Sequence, residues 1–195
     1  MTMEQIIARL RRAFMLDPTV FEEVRDDAAF TPIAAVLAAA AVLIAGFGGW
    51  LFGETVLEDA TPDGWFVDTF ILGSVFTALL WVAAVATIYV VLTQVYRETA
   101  APDALFRVCA LGFLPFAMGV LVLIPEIGFA FGFMSAALTF YLTVFGLSAA
   151  FSIAQPRALV AAALGFAVMG IVIPLISGFP DNNFVTGVFV YSLID

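Results

Sequence analysis

Lysine and histidine are absent from this chain, and cysteine occurs once, at Cys109. Without histidine there is no side chain whose ordinary pKa lies near neutrality, and the commonest metal ligand is missing. A lone cysteine forms no internal disulfide, so the chain carries no signal of redox compartment. With no histidine to activate it, Cys109 reads as a small packing residue rather than a nucleophile. Charge of any sign is scarce, at 12% of residues against 64% apolar. All seven basic residues are arginine, and sixteen acids bring the net charge to −9. No basic stripe exists to neutralise phosphates, which excludes nucleic acid as a partner. No Gly-rich phosphate loop opens a polar helix. The acids Glu58, Asp59 and Asp63 lack the Gly-anchored spacing of a divalent-cation loop.

What fills the chain instead is five uncharged runs, at 28–53, 69–96, 108–125, 127–156 and 158–180. A spanning helix needs about 20 apolar residues to cross a hydrocarbon core roughly 30 Å thick. All five runs pass, the third narrowly, and Leu105 and Phe106 extend it if Arg107 snorkels. Five such runs in succession would leave a soluble protein no polar face. The arginines sort to one side of the runs. Arg9, Arg11, Arg12 and Arg25 precede the first, Arg97 and Arg107 lie between the second and third, and Arg157 lies between the fourth and fifth. That is the positive-inside pattern with a cytoplasmic N-terminus and an external C-terminus. No secretory signal peptide is expected, because the first run begins late, follows many charges and is too long for an h-region.

The fold class expected is an all-α membrane protein with five transmembrane helices and an N-terminal interfacial amphipathic helix. Residues 1–29 form the cytoplasmic and interfacial helices. Residues 30–178 form the transmembrane domain, with spans at about 31–52, 66–93, 105–124, 127–152 and 158–177 by the run lengths and their boundary charges. Residues 179–195 form an external interfacial tail too short to span. In the first helix, Met3, Ile6, Ile7, Leu10 and Phe14 share one face at helical spacing, opposite Glu4, Gln5, Arg9, Arg11 and Arg12. Such a helix beside a span lies in the membrane interface or docks a cytoplasmic protein, and the first is favoured. Asp17 followed by Pro18 predicts a second helix start. Its acids Glu22, Glu23, Asp26 and Asp27 read as a solvated face, with Val20, Phe21 and Val24 available for packing.

Two features of the spans point to packing. Pro115 sits inside the third span, where it removes a backbone donor and predicts a kink. The fourth span carries Gly128, Gly132, Ser135, Thr139, Thr143, Gly146 and Ala150 at steps of three and four, one continuous stripe of small residues suited to close helix approach. The short turn 124–128 makes the third and fourth spans antiparallel neighbours. The helix-packing residues are therefore Gly112, Pro115, Gly128, Gly132, Ser135, Thr139, Thr143 and Gly146. The topology residues are Arg9, Arg11, Arg12, Arg97, Arg107 and Arg157. The spans hold no interior carboxylate, lysine, arginine or histidine with which to build a proton relay, ion site or catalytic dyad. No catalytic residue, cofactor or metal is assigned.

An arginine just inside the third span (Arg107), the Gly112-Phe113 pair, the mid-span Pro115 and the Ile124-Pro125 turn together resemble the Yip domain family. These are five-span membrane proteins with a cytoplasmic N-terminus, named for interaction with Ypt/Rab GTPases. The resemblance covers roughly residues 18–176. Asp27-Ala-Ala-Phe-Thr-Pro32 stands where eukaryotic members carry an Asp-Leu-Tyr-Gly-Pro element, and the lead before the first span is short. Both features place the likeness with the short prokaryotic branch. That branch implies a fold and a topology; Rab binding and vesicle budding are not carried over.

The function expected is that of a non-enzymatic integral membrane protein, multi-pass in a bacterial inner membrane, that organises membrane components or modulates the bilayer. The alternative is a small carrier or channel for an apolar or lipidic solute, with Pro115, Pro174 and the Ser/Thr face of the fourth span supplying the path. The partners expected are the lipid bilayer and either another membrane protein or a second copy of the chain.

Overall fold

The computed structural model describes residues 2–57 and 64–177. The expectations for Glu58, Asp59, Asp63 and the tail 179–195 lie outside the described residues. The described residues are mostly helical, with no strand among them. Among them, seven α-helices run Met3–Phe14 (α1), Pro18–Asp26 (α2), Thr31–Phe52 (α3), Gly73–Val90 (α4), Pro102–Gly112 (α5), Pro125–Phe151 (α6) and Gln155–Ser177 (α7). Among the described residues, five helical segments are long and apolar enough to cross a membrane: Ala28–Val56, Phe66–Val95, Pro102–Leu123, Glu126–Phe151 and Gln155–Val172. This is the helix content of a multi-pass membrane protein.

Local chemistry sets the starts and stops. At α1 the Thr2 hydroxyl accepts from the Gln5 amide and the Gln5 side chain accepts from the Thr2 amide, which satisfies two orphan donors at once. Asp17 caps α2 by accepting from the Thr19 amide, and Pro18 takes the first helical position. Three turns depend on non-glycine residues in the left-handed region: Leu16 after α1, Arg97 after α4 and Ser152 after α6. Each stops a helix, at a cost a glycine would not carry.

Three spans are not uniform α-helix: the first opens in a 3-10 turn, Ala28–Phe30, and closes in a π-helical turn, Gly53–Leu57. The second begins and ends in π-helical turns, Phe66–Leu72 and Val91–Val95. The third does not simply kink at Pro115. α5 ends at Gly112, and residues Leu114–Leu123 form a 3-10 helix ten residues long. Runs of that type rarely exceed three or four residues. Proline explains the switch: it lacks the amide that would continue the α ladder, and its ring crowds the preceding turn. The carbonyls of Pro115 and Phe116 receive the Ser135 hydroxyl instead, at 3.2 Å each. A 3-10 helix rises 2.0 Å per residue against 1.5 Å, so this segment is about 5 Å longer than an α-helix of the same sequence. The span with the shortest uncharged run thereby gains length.

The chain divides into two compact units. The first combines residues 1–38, 84–114 and 139–166. It holds α1, α2, α5 and the arginine-bearing ends of the spans. Val20, Phe21, Val24, Leu105, Val108, Leu111 and Leu147 are among its fully buried side chains. The second unit combines the described residues within 39–83, 115–138 and 167–177. There α3 and the π-helical turn Phe66–Leu72 meet through Phe47, Trp50, Phe66 and Phe70, whose rings pack at 5.3–6.0 Å. The Trp65 indole donates to the Trp50 carbonyl at 3.1 Å. Gly48 lies against backbone: a Cβ there would come within 2.5 Å of Val120 Cα.

Gly46 and Ser74 form a matched pair in this second unit. A Cβ on Gly46 would stand 2.2 Å from the Ser74 hydroxyl, and the next atoms lie at 3.6 Å. The Ser74 hydroxyl is buried and has no hydrogen-bond partner, whereas Thr77 and Thr93 bond their own helix carbonyls. Gly46→Ala is expected to lose about 1–3 kcal/mol by overpacking. Ser74→Ala removes an unsatisfied hydroxyl and is expected to be neutral or stabilising. The double variant should recover most of the Gly46→Ala loss, a coupling that thermal unfolding of the four proteins in detergent measures directly. Additive single effects would contradict the pairing.

Candidate functional site

The densest polar construction lies in the first unit, where α2 is fastened to the spans by arginine. α2 turns Val20, Phe21 and Val24 inward, all fully buried. Phe21 meets Phe145 edge to face at 5.7 Å. It also lies so close to Gly146 that a Cβ there would come within 2.7 Å of the ring. At the C-terminal end of α2 the last carbonyls have no intrahelical donors. Arg107 of α5 supplies them. Its Nε donates to the Val24 carbonyl at 2.9 Å, and the far end of its guanidinium donates to the Arg25 carbonyl. The same guanidinium donates to Thr31 Oγ1 at 2.9 Å and to Asp103 at 2.8 Å. Arg107 is 3% exposed, yet its charge is shared among four oxygens. Arg25 carries the chain of contacts onward by donating to the Ala150 carbonyl of α6 while pairing with Asp26 at 2.7 Å. Planar guanidinium groups with several fixed donors suit this multidentate work; an ammonium would not.

α1 is held by a second set of pairs. Arg12 bonds Asp17 at 2.8 Å, Glu23 at 2.8–2.9 Å and the Thr19 hydroxyl at 2.6 Å. Arg9 bonds Asp27 at 2.7 Å and lies 5.3 Å from the centre of the Phe30 ring. Arg157 joins Glu98 at 2.6 Å and covers Tyr96 at 5.7 Å. Among the described residues Arg11 and Arg97 form no ion pair. The arginines singled out for topology therefore divide, with four of the six in bonds within the unit and Arg11 and Arg97 outside them.

These pairs depress the carboxylates they use. Asp17 is held down from 3.8 to about 2, first by the Thr19 hydroxyl and then by Arg12. Arg12 lowers Glu23, and Arg9 lowers Asp27. A carboxylate whose folded pKa lies below its unfolded value stabilises the fold above the unfolded value. That contribution disappears as pH falls through the folded one. The α1–α2 attachment is therefore expected to persist at neutral pH and to loosen between 3.8 and about 2, the interval for Asp17. A spin label at Ala8→Cys, in protein with Cys109 replaced by Ala, should gain mobility over that interval and not above it. Release already complete at pH 5 would contradict the assignment.

The packing residues of α6 are buried from end to end: Gly128, Gly132, Ser135, Thr139, Thr143, Gly146 and Ala150. Within the first unit, a Cβ on Gly112 would meet Thr143 Cα and Oγ1 at 2.9 Å. α5 and α6 thus approach almost backbone to backbone there. Within the second unit, Ser135 closes onto Pro115 and Phe116 as described. The hub at Arg107 is not foreseen from sequence, where that residue reads as a side marker, as a snorkelling end of the third span and as part of the family likeness. Its signal was present: Asp103 and Arg107 stand one helical turn apart, and the predicted α2 needed donors at its C-terminal end.

Several hollows accompany these elements. One of about 520 Å³ is lined by Arg25, Asp26, Thr99, Asp103, Arg107 and Phe151, among others. A second of about 470 Å³ lies between α1 and α2 beside Arg9, Arg12, Glu23 and Asp27. A third, of about 210 Å³, is an apolar groove between α3 and α4 lined by Ala39, Val42, Leu43, Ser74, Val75 and Ala78. Among the described residues no group of three or more Cys, Asp or Glu side chains could hold a metal ion. Comparison with protein-family models, with curated proteins and with solved structures finds no match to this chain.

Proposed function

We propose that the chain is a non-enzymatic integral membrane protein that organises membrane components or modulates the bilayer. In this reading it is a Yip-like protein of the short prokaryotic type. Its N-terminus and arginine-bearing turns are cytoplasmic, in a bacterial inner membrane. The observation that carries the reading is the fate of the polar side chains on α6. Ser135, Thr139 and Thr143 are buried, and two of them sit at close helix contacts, Ser135 on the Pro115 turn and Thr143 on Gly112. Small and hydroxylated residues used in this way build rigid helix contacts in lipid. The outer surfaces of α3, α4 and α6 are apolar, with Val36, Leu79, Phe129 and Phe133 exposed.

One feature favours the alternative of a carrier for an apolar or lipidic solute, namely the groove beside Ser74. Native mass spectrometry of the protein, extracted from its own membrane in nanodiscs without delipidation, separates the two. A stoichiometric second protein, or a second copy, is the result expected of an organising protein. A retained lipid or small molecule with no protein partner would overturn that reading in favour of the carrier.

A further inference from the structure

We infer that α1 seats its apolar edge in the lipid bilayer surface, and that this attachment is hydrophobic rather than charge-driven. The inference rests on the reading of the chain as membrane-spanning and adds how its first helix meets lipid. An arginine-bearing amphipathic helix ordinarily approaches a membrane through its cations, which bind lipid phosphates and weaken as salt rises. Here Arg9 and Arg12 are turned the other way, onto Asp27, Asp17 and Glu23. Residues 2–27 hold four arginines (Arg9, Arg11, Arg12, Arg25) against six acids (Glu4, Asp17, Glu22, Glu23, Asp26, Asp27), so the segment has no net attraction for an anionic surface.

The opposite edge of the helix is apolar and open. Met3 is 71% exposed, Ile7 58% and Phe14 55%, at steps of four and seven along one side, and Met15 continues the edge. Ala13, on the inner side, is fully buried. The helix is therefore fastened to the protein by its charged side and presents its greasy side outward.

The occupant follows from where α1 is tied. Arg9, in the middle of α1, bonds Asp27 and lies over Phe30. Those two residues flank the start of the first spanning segment, which begins at Ala28. That contact brings the middle of α1 to the level at which the chain enters the hydrocarbon. There an outward apolar edge meets the acyl–headgroup boundary. Arg11, unpaired and exposed, is the one α1 cation in position to reach a lipid phosphate from beside that edge.

Site-directed spin labels on the full chain, with Cys109 replaced by Ala, test this in liposomes. Labels are placed singly at Ile7→Cys, Ala8→Cys and Phe133→Cys. Liposomes are of pure phosphatidylcholine or of phosphatidylcholine with phosphatidylglycerol, at about 0.05 and about 1 M salt, where the Debye length falls below a helix diameter. Accessibility is read with oxygen, which partitions into lipid, and with a water-soluble nickel chelate. The label at position 7 should favour oxygen several-fold more than the label at position 8, equally in both lipids and at both salts. Equal, water-like values at positions 7 and 8 would overturn the inference. So would a preference seen only with phosphatidylglycerol or lost at high salt. A label at position 7 shielded from both reagents would also overturn it, since that edge would then be covered by protein. Position 133, on an exposed face of α6, tests the underlying reading separately: failure of oxygen preference there would sink the membrane-spanning reading itself.

Discussion

Arg107→Ala is expected to detach α2 from the spans. The substitution leaves the Val24 and Arg25 carbonyls without donors and takes a partner from Thr31 and Asp103. Removing one side of a buried charged network costs about 3 kcal/mol, most of it the penalty of the groups left behind. Because the same α2 end also carries Arg25 to the Ala150 carbonyl, the loss should spread to the contact with α6. Thermal unfolding in detergent should show a clear drop, and limited proteolysis should cut first between α1 and α3. Arg107→Lys should rescue little, since one ammonium cannot span four acceptors on three elements. A change within about 0.5 kcal/mol, the usual effect of a surface substitution, would show that Arg107 is only a side marker.

Gly112→Leu is expected to be as damaging, through shape rather than charge. The atoms met by a Cβ at Gly112 are Thr143 Cα, Oγ1 and N, at 2.9–3.0 Å. Two of those are backbone, so relief requires α5 and α6 to move apart rather than a rotamer to turn. Overpacking of a fitted contact costs about 1–3 kcal/mol, and a branched side chain against backbone belongs at the upper end. Gly170→Ala is the control. A Cβ there meets nothing within 4 Å, and replacing a mid-helix glycine by alanine should stabilise by up to about 1 kcal/mol. Unfolding midpoints of the two variants should therefore move in opposite directions. Equal behaviour would mean that the glycines act by helix propensity and not by close approach.

The coarse fold was legible because hydrophobic run length is a strong signal. Five uncharged stretches became five long apolar helices. The start of α2 was equally legible, since Asp17 followed by Pro18 is local chemistry. What was not legible depends on neighbours. Pro115 announces that the α ladder breaks, but not that the chain runs on as 3-10 helix or that Ser135, nineteen and twenty residues away, donates its hydroxyl to the Phe116 and Pro115 carbonyls. The π turns at either end of the second span have no comparable marker in the sequence. The stripe on α6 was readable as a periodicity, and its positions are buried, yet approaches onto backbone are also made by glycines on other helices, Gly112 and Gly48. The hydrogen-bonding role of Arg107 is not legible because a lone arginine beside an apolar run is read by side. Two of its four oxygen partners are backbone atoms 82 and 83 residues away. For α1, spacing alone separates the two faces but not which of them the protein takes.

Sidedness is the claim on which the account turns most directly. Single cysteines at Arg97→Cys and Ser152→Cys, on the arginine-bearing turns, and at Thr55→Cys and Glu126→Cys, at the opposite helix ends, would be labelled in sealed vesicles with a membrane-impermeant maleimide. The native Cys109 is buried and supplies little background. Positions 97 and 152 are expected to react from one face of the membrane and positions 55 and 126 only from the other. Labelling of all four from the same face would contradict that sidedness.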